Sequence, residues 1–269
     1  MPLNNLTKQI ILAELQNKNG WTFKKNIQNP LNTSTLKNIK NIRKIPASDP
    51  NQMVYEVTNK YVIKFAFFKH KTDLESFANE LHVGWNPKVS SFGVNIYAYK
   101  ASKFKTWQYG IYIMDHVSYG NNDLTAVTLH KYWSNNLYFN INEMNSIERQ
   151  LFYKLKLFYK HTGGFHGDLH AKNIIVLLNK RNKVADIRII DYGNFVPFDT
   201  ESYQRIHRLN LNSNITDYMN IVKQTFNKHN KTQNNFMSYN TYKMTPIRYK
   251  HSGLPFRSNK AMLNEMNIL

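Results

Sequence analysis

Asp168, Asn173 and Asp191 are the residues of this chain whose types and spacing best suit chemistry: two carboxylates and an amide flanking two short apolar runs. They lie in His166-Gly167-Asp168-Leu169-His170-Ala171-Lys172-Asn173 and in Ile189-Ile190-Asp191-Tyr192-Gly193. In phosphoryl transfer one carboxylate must accept or orient the proton of an attacking hydroxyl, while an amide and a second carboxylate hold magnesium on the phosphates of ATP. Asp168, Asn173 and Asp191 fit those roles in that order. Ile174 to Leu178 is β-branched and apolar, Ile187 to Ile190 is a second such run, and polar Asn179 to Lys183 joins them. The pattern predicts a β-hairpin with a ligand at each end.

Upstream, Met53 to Val57 and Tyr61 to Phe65 read as two strands joined by the polar turn Thr58-Asn59-Lys60. Lys64 is expected to end the second strand with its amine pointing inward. An unpaired ammonium is costly to desolvate, so it needs an anion, either nucleotide phosphates or a carboxylate from the next helix. Asp73 to Leu81 has apolar residues at 74, 77, 78 and 81, a helical period that sets Glu80 apart from the solvent side of Asp73 and Glu75. Glu80 is the favoured partner of Lys64, with Glu75 its rival.

These motifs resemble the protein kinase superfamily, whose catalytic loop runs His-Arg-Asp with an asparagine five positions after the aspartate; Asp168 and Asn173 are also five apart. Tyr61-Val62-Ile63-Lys64 is similar to its Val-Ala-Ile-Lys strand, and Glu80 to the glutamate of its third helix. The resemblance covers roughly residues 37 to 230 and implies an α+β, bilobal fold. The N-lobe is an antiparallel sheet plus a helix, and the C-lobe is reduced and mainly helical. It implies an N-terminal extension and N-lobe over 1–117 and a C-lobe over 118–269. Gly110 to Val117 becomes the strand entering the hinge, with Met114 behind the adenine and the backbone of Asp115, His116 and Val117 on the purine edge. Val62 and either Ile175 or Val176 sandwich the ring. His166 is implied to be structural rather than the base. ATP and magnesium are the implied cofactors, with Asn173 and Asp191 as metal ligands.

The chain also departs from the family pattern. Where common kinases carry Gly-x-Gly-x-x-Gly, this chain has Ala47, Asp49 and Gln52 in a segment rich in turn residues. Gly167 replaces the usual arginine, removing the cation that receives an activation-loop phosphate. His170 stands where a lysine is usual, so either His170 or Lys172 supplies positive charge to the transferring phosphate. There is no Ala-Pro-Glu signature, and Thr216 to Lys228, opening with Asp217, is the one helix expected after Gly193. The activity implied is protein phosphorylation, serine or threonine favoured over tyrosine. The alternatives are a small-molecule phosphotransferase of the aminoglycoside or choline kinase type, and a non-catalytic pseudokinase. In style the chain is similar to compact kinases of large DNA viruses.

The 269 residues suffice for one large domain or two lobes, and 42% hydrophobic residues can build a core. A formal net charge of +19 would attract an acidic protein substrate, an anionic membrane or nucleic acid, the last supported by no motif. The absence of cysteine excludes disulfides, thiolate–zinc sites and a cysteine nucleophile. No apolar run is long enough to span a membrane and no secretory signal opens the chain, so an intracellular location is expected, with the virion as a second place for a viral protein. Leu6, Ile10, Ile11 and Leu15 predict a short amphipathic helix ending at Asn19-Gly20, docked by Trp21 and Phe23. Ile147, Leu151, Leu155 and Phe158 predict a longer helix over 143–161, leading into Gly163-Gly164 and the loop of Asp168.

Overall fold

Strict alternation along Tyr61-Val62-Ile63-Lys64-Phe65-Ala66 gives one strand two different faces, and each face finds its own helical cover. The computed structural model describes residues 3–17, 19–24, 33–45, 53–57, 60–104, 106–117, 124–134 and 141–197. Described residues up to Val117 belong to one compact unit and those from Leu124 onward to a second. The architecture is α+β.

The first unit is a six-stranded sheet whose paired neighbours are all antiparallel. Its strands are β1 (Thr22–Phe23), β2 (Arg43–Lys44), β3 (Met53–Glu56), β4 (Tyr61–Phe68), β5 (Ile96–Phe104) and β6 (Trp107–Asp115), in the order β1-β5-β6-β4-β3-β2. On one face Tyr61, Ile63, Phe65, Tyr109, Ile111 and Ile113 pack against α1 (Leu3–Gln16) and the segment around α2 (Thr33–Lys37). Ile10, Ile11, Leu15 and Leu36 provide the buried cover. The predicted N-terminal helix is therefore part of the core. Trp21 docks it as expected, its Nε1 donating to the Glu14 carbonyl at 3.0 Å.

On the opposite face lies α3 (Lys71–Gly84), through Phe77 and Leu81 against Ile96 and Tyr112. Its start is fixed by Asp73, whose carboxylate accepts the N–H groups of Lys69 and His70, both at 2.8 Å. A carboxylate there also meets the positive end of the helix dipole.

The second unit contains α4 (Leu129–Ser134), α5 (Ile141–Thr162) and a three-stranded antiparallel sheet. That sheet has the order β10 (Val184–Ile189), β9 (Ile174–Leu178), β7 (Thr125–Thr128). All five residues of β9 are buried, which is why that strand reads as a continuous apolar run. The predicted polar turn is an Asx turn: Asn179 Oδ1 accepts from Arg181 N at 2.9 Å and Lys183 N at 3.0 Å. A short pair, β8 (Gly164–Phe165) with β11 (Val196–Pro197), brackets the loop of Asp168. Ile147, Leu151, Leu155 and Phe158 of α5 are all buried.

The glycine-poor turn at 46–52, the turn residues 58 and 59, the breaker at 118–122, the helix at 216–228 with Asp217, and the C-terminal segment 230–269 lie outside the described residues. Among the described residues no helix is long and apolar enough to cross a membrane.

Candidate phosphoryl-transfer site

Lys64 belongs to the face of β4 that meets α3, and its Nζ lies 2.5 Å from Glu80 Oε1. The pair is well shielded, with side-chain exposures of 17% for Lys64 and 7% for Glu80. Glu75 turns outward instead and pairs with Lys71 at 3.5 Å, so the choice between the two glutamates falls to Glu80. The helical period explains this: Phe77, Ala78 and Leu81 are buried, and Glu80 shares their side of the helix. One expectation is corrected. Lys64 does not end its strand, because β4 stays paired with β6 as far as Phe68 opposite Gln108.

Met114 pairs with Val62 across β6 and β4 and packs at the edge of the α3-facing core. In the backbone of Asp115 to Val117, expected on a purine edge, two of the three N–H groups are engaged within the protein. Asp115 N–H is given to Asn95 O at 3.0 Å and His116 N–H to Lys60 O at 2.8 Å. Of the three, Val117 N–H alone has no backbone acceptor among the described residues. The Asp115 carboxylate is also committed, accepting from Asn95 Nδ2 at 2.9 Å and Tyr97 OH at 2.7 Å.

In the second unit, α5 ends at Thr162, and Gly163 follows with φ +66°, a left-handed residue suited to a helix exit. His166 is wholly buried between the rings of Phe158 and Tyr192. Its Nε2 contacts Ile190 O at 2.9 Å, and its Nδ1 receives the Asp168 N–H at 3.4 Å. Those partners require the neutral ring with the proton on Nε2. Burial pushes the His166 pKa below its ordinary 6.5, against the pull of the Ile190 carbonyl and the Asp191 and Asp168 carboxylates. A buried, neutral and doubly engaged imidazole is a scaffold, as the resemblance implied.

Gly167 has a reason that the sequence did not disclose. It adopts φ +75°, and a Cβ at this position would lie 1.7 Å from the Asn194 carbonyl oxygen. A side chain at this position, an arginine included, would not fit this turn.

Asp168 is the exposed member of the group, with 46% of its side chain accessible. Asn194 Nδ2 lies 3.4 Å from Asp168 Oδ2, a contact that no spacing in the sequence marked. The Asp168 carbonyl accepts from Asn173 Nδ2 at 3.0 Å, and the Oδ1 of the buried Asn173 is the acceptor atom of that amide. Asn173 O in turn accepts the N–H of Ile190 at 3.0 Å, tying the residue before Asp191 to the loop. Asp191 itself has φ +66°, a conformation costly for a non-glycine residue and concentrated at functional sites.

His170 caps the 3-10 turn Ala171–Asn173: its Nδ1 accepts Lys172 N–H at 3.2 Å. Its Nε2 is 3.8 Å from Asp168 Oδ2. Lys172 is exposed. Ile175 and Val176 are both buried, on opposite faces of β9.

Lys64 and Glu80 are brought together in the first unit; Asp168, His170, Asn173 and the strand end leading to Asp191 are brought together in the second. Asn173 and Asp191 offer a neutral oxygen and a carboxylate, hard donors that suit magnesium, an ion that takes few protein ligands and completes its shell with phosphate and water. The donor set fits the ion. No protein-family model matches this chain, and none of the curated proteins is significantly similar to it.

Proposed function

We propose that this protein is a compact protein kinase that transfers the γ-phosphoryl group of ATP to a protein hydroxyl, with the bilobal layout of that superfamily. The observation that carries the reading is the shielded Lys64–Glu80 pair, joining a central strand to the following helix at 2.5 Å. Kinase catalysis requires a strand lysine and a helix glutamate joined in this way. A hydrogen-bonded loop carrying Asp168 and Asn173 supports it, as does the unusual backbone of Asp191.

Asp168 orients the acceptor hydroxyl and takes its proton, a role that suits the most exposed carboxylate of the loop. Asn173 and Asp191 would hold magnesium, which when bound neutralises charge on the phosphates. Lys64, steadied by Glu80, binds the non-transferred phosphates. Lys172 supplies the cation near the transferring group, because His170 is committed to capping its own turn. Val62, Met114 and the Val117 N–H are the adenine contacts of the first unit. An acidic protein is the favoured acceptor, since a net charge of +19 attracts it.

The test is transfer of labelled phosphate from magnesium–ATP by wild type and Asp168→Asn, with casein, a basic protein, aminoglycosides and choline as acceptors. Label on casein that falls about a hundredfold or more in the variant is expected, the range for loss of a general base. Label on the small alcohols alone moves the enzyme to the small-molecule class. Equal label from both proteins sinks the catalytic assignment and leaves a binding module.

A further inference from the structure

Lys24 follows β1, in the N-terminal segment that the kinase resemblance does not cover, and it is 5% exposed. Its backbone N–H is given to Tyr97 O at 2.8 Å, which anchors it to the start of β5. Its side chain reaches the end of α3, where Nζ donates to Gly84 O at 3.2 Å and Asn86 O at 3.3 Å. The last carbonyls of a helix have no intrahelical partner and carry the negative end of the dipole, so a lysine ammonium is well matched to them. The fit there is tight: a Cβ on Gly84 would lie 2.4 Å from Ile96 Cδ1.

Burying an ammonium is expensive, and an apolar residue of similar length could fill the same space at lower cost. The compensation is the two carbonyls and the field of Asp115, which raises the Lys24 pKa against the larger effect of burial. Glu80 and Gly84 are four residues apart on α3, hence one above the other on the same side. Whatever fixes Gly84 along the helix axis therefore fixes Glu80.

We propose that Lys24 is a positioning residue: it pins the C-terminal end of α3 and so holds the Glu80 carboxylate on Lys64. The helix that completes the nucleotide-binding pair is locked by this chain's own N-terminal segment. The effect on rate rests on the phosphotransfer reading; the clamp itself does not.

The experiment uses the full chain as wild type, Lys24→Met and Lys24→Arg, followed by hydrogen exchange and by magnesium–ATP transfer kinetics. Exchange at the amides of Leu81 to Asn86 should rise about tenfold or more in Lys24→Met, the scale of a lost charge-assisted hydrogen bond, while α5 is unchanged and Lys24→Arg stays within about twofold. In the same comparison kcat should fall about tenfold with KM for the acceptor protein unchanged, and Lys24→Arg should restore it. Unchanged exchange in Lys24→Met, or equal effects of Met and Arg, overturns the clamp. Normal kcat in a variant whose α3 exchanges faster overturns the positioning role. Should Lys24→Met not fold, Lys24→Gln, which keeps one donor group, is read by the same criteria. A wild type that transfers no phosphate defeats the proposed function, and the exchange data then decide the clamp independently.

Discussion

The Lys64–Glu80 pair and the Asp168–Asn173 loop hold polar groups in place by different means. The pair lies between a sheet and a helix, both ions shielded, each serving as the other's counter-charge. The loop has an exposed carboxylate, and its order comes from backbone: a 3-10 turn capped by His170, a buried neutral imidazole, and residues 167 and 191 with positive φ. Packing secures the first site, so its weak point is charge. Hydrogen bonds and a glycine secure the second, so its weak point is shape.

This contrast is sharpened most by Gly167→Ala. The added methyl meets the Asn194 carbonyl at 1.7 Å and forces a positive φ on alanine, so a loss of about 3 kcal/mol or more is expected in chemical denaturation. A loss under about 0.5 kcal/mol would show that the loop has room to relax. Next comes Glu80→Gln, which removes the Glu80 carboxylate from beside the Lys64 ammonium. About 2 kcal/mol is expected, below the range for fully buried pairs because Lys64 keeps 17% exposure. Glu75→Gln, on the exposed side of the same helix, should stay within about 0.5 kcal/mol.

Titration separates the regions further. Burial lowers the Lys24 pKa from 10.5 to about 8, so the unfolded chain binds more protons than the folded one between those values. Its contribution to stability is fully present above 10.5 and is lost as pH falls through about 8. Wild type should therefore gain stability relative to Lys24→Met between pH 8 and 10.5; a flat difference contradicts the buried amine. His166 titrates in the same sense, because burial depresses its folded pKa below 6.5. Its contribution is present above 6.5 and is lost as pH falls below that value, so wild type should weaken in acid more steeply than His166→Gln.

The sequence made the regular parts of both regions legible. Two strand-like runs on either side of the polar turn Thr58-Asn59-Lys60 located β3 and β4, the helical period of residues 74 to 81 picked Glu80 over Glu75, and the run Ile174 to Leu178 marked the strand beside Asn173. What it hid depends on contacts distant along the chain. Gly167 read as a lost charge, whereas its neighbour 27 positions on, Asn194, makes glycine a steric requirement. Lys24 read as one more lysine in a basic chain, because its partners lie 60 and 62 residues away. Asp115 and His116 looked available at a strand end, but their N–H groups are taken by Asn95 and Lys60. The expected strand ran only from Tyr61 to Phe65, while the pairing of β4 with β6 continues to Phe68.

The proposed phosphotransfer requires both the pair and the loop. Single-turnover transfer from magnesium–ATP should be measured for Glu80→Gln, for Asn173→Ala and for the double variant. If both regions act on one nucleotide, each single substitution slows transfer about a hundredfold, and the double variant is close to the slower single one, because residues acting as a unit are not additive. A rate untouched by either substitution, or a double variant that loses the full product of the two effects, would contradict the account.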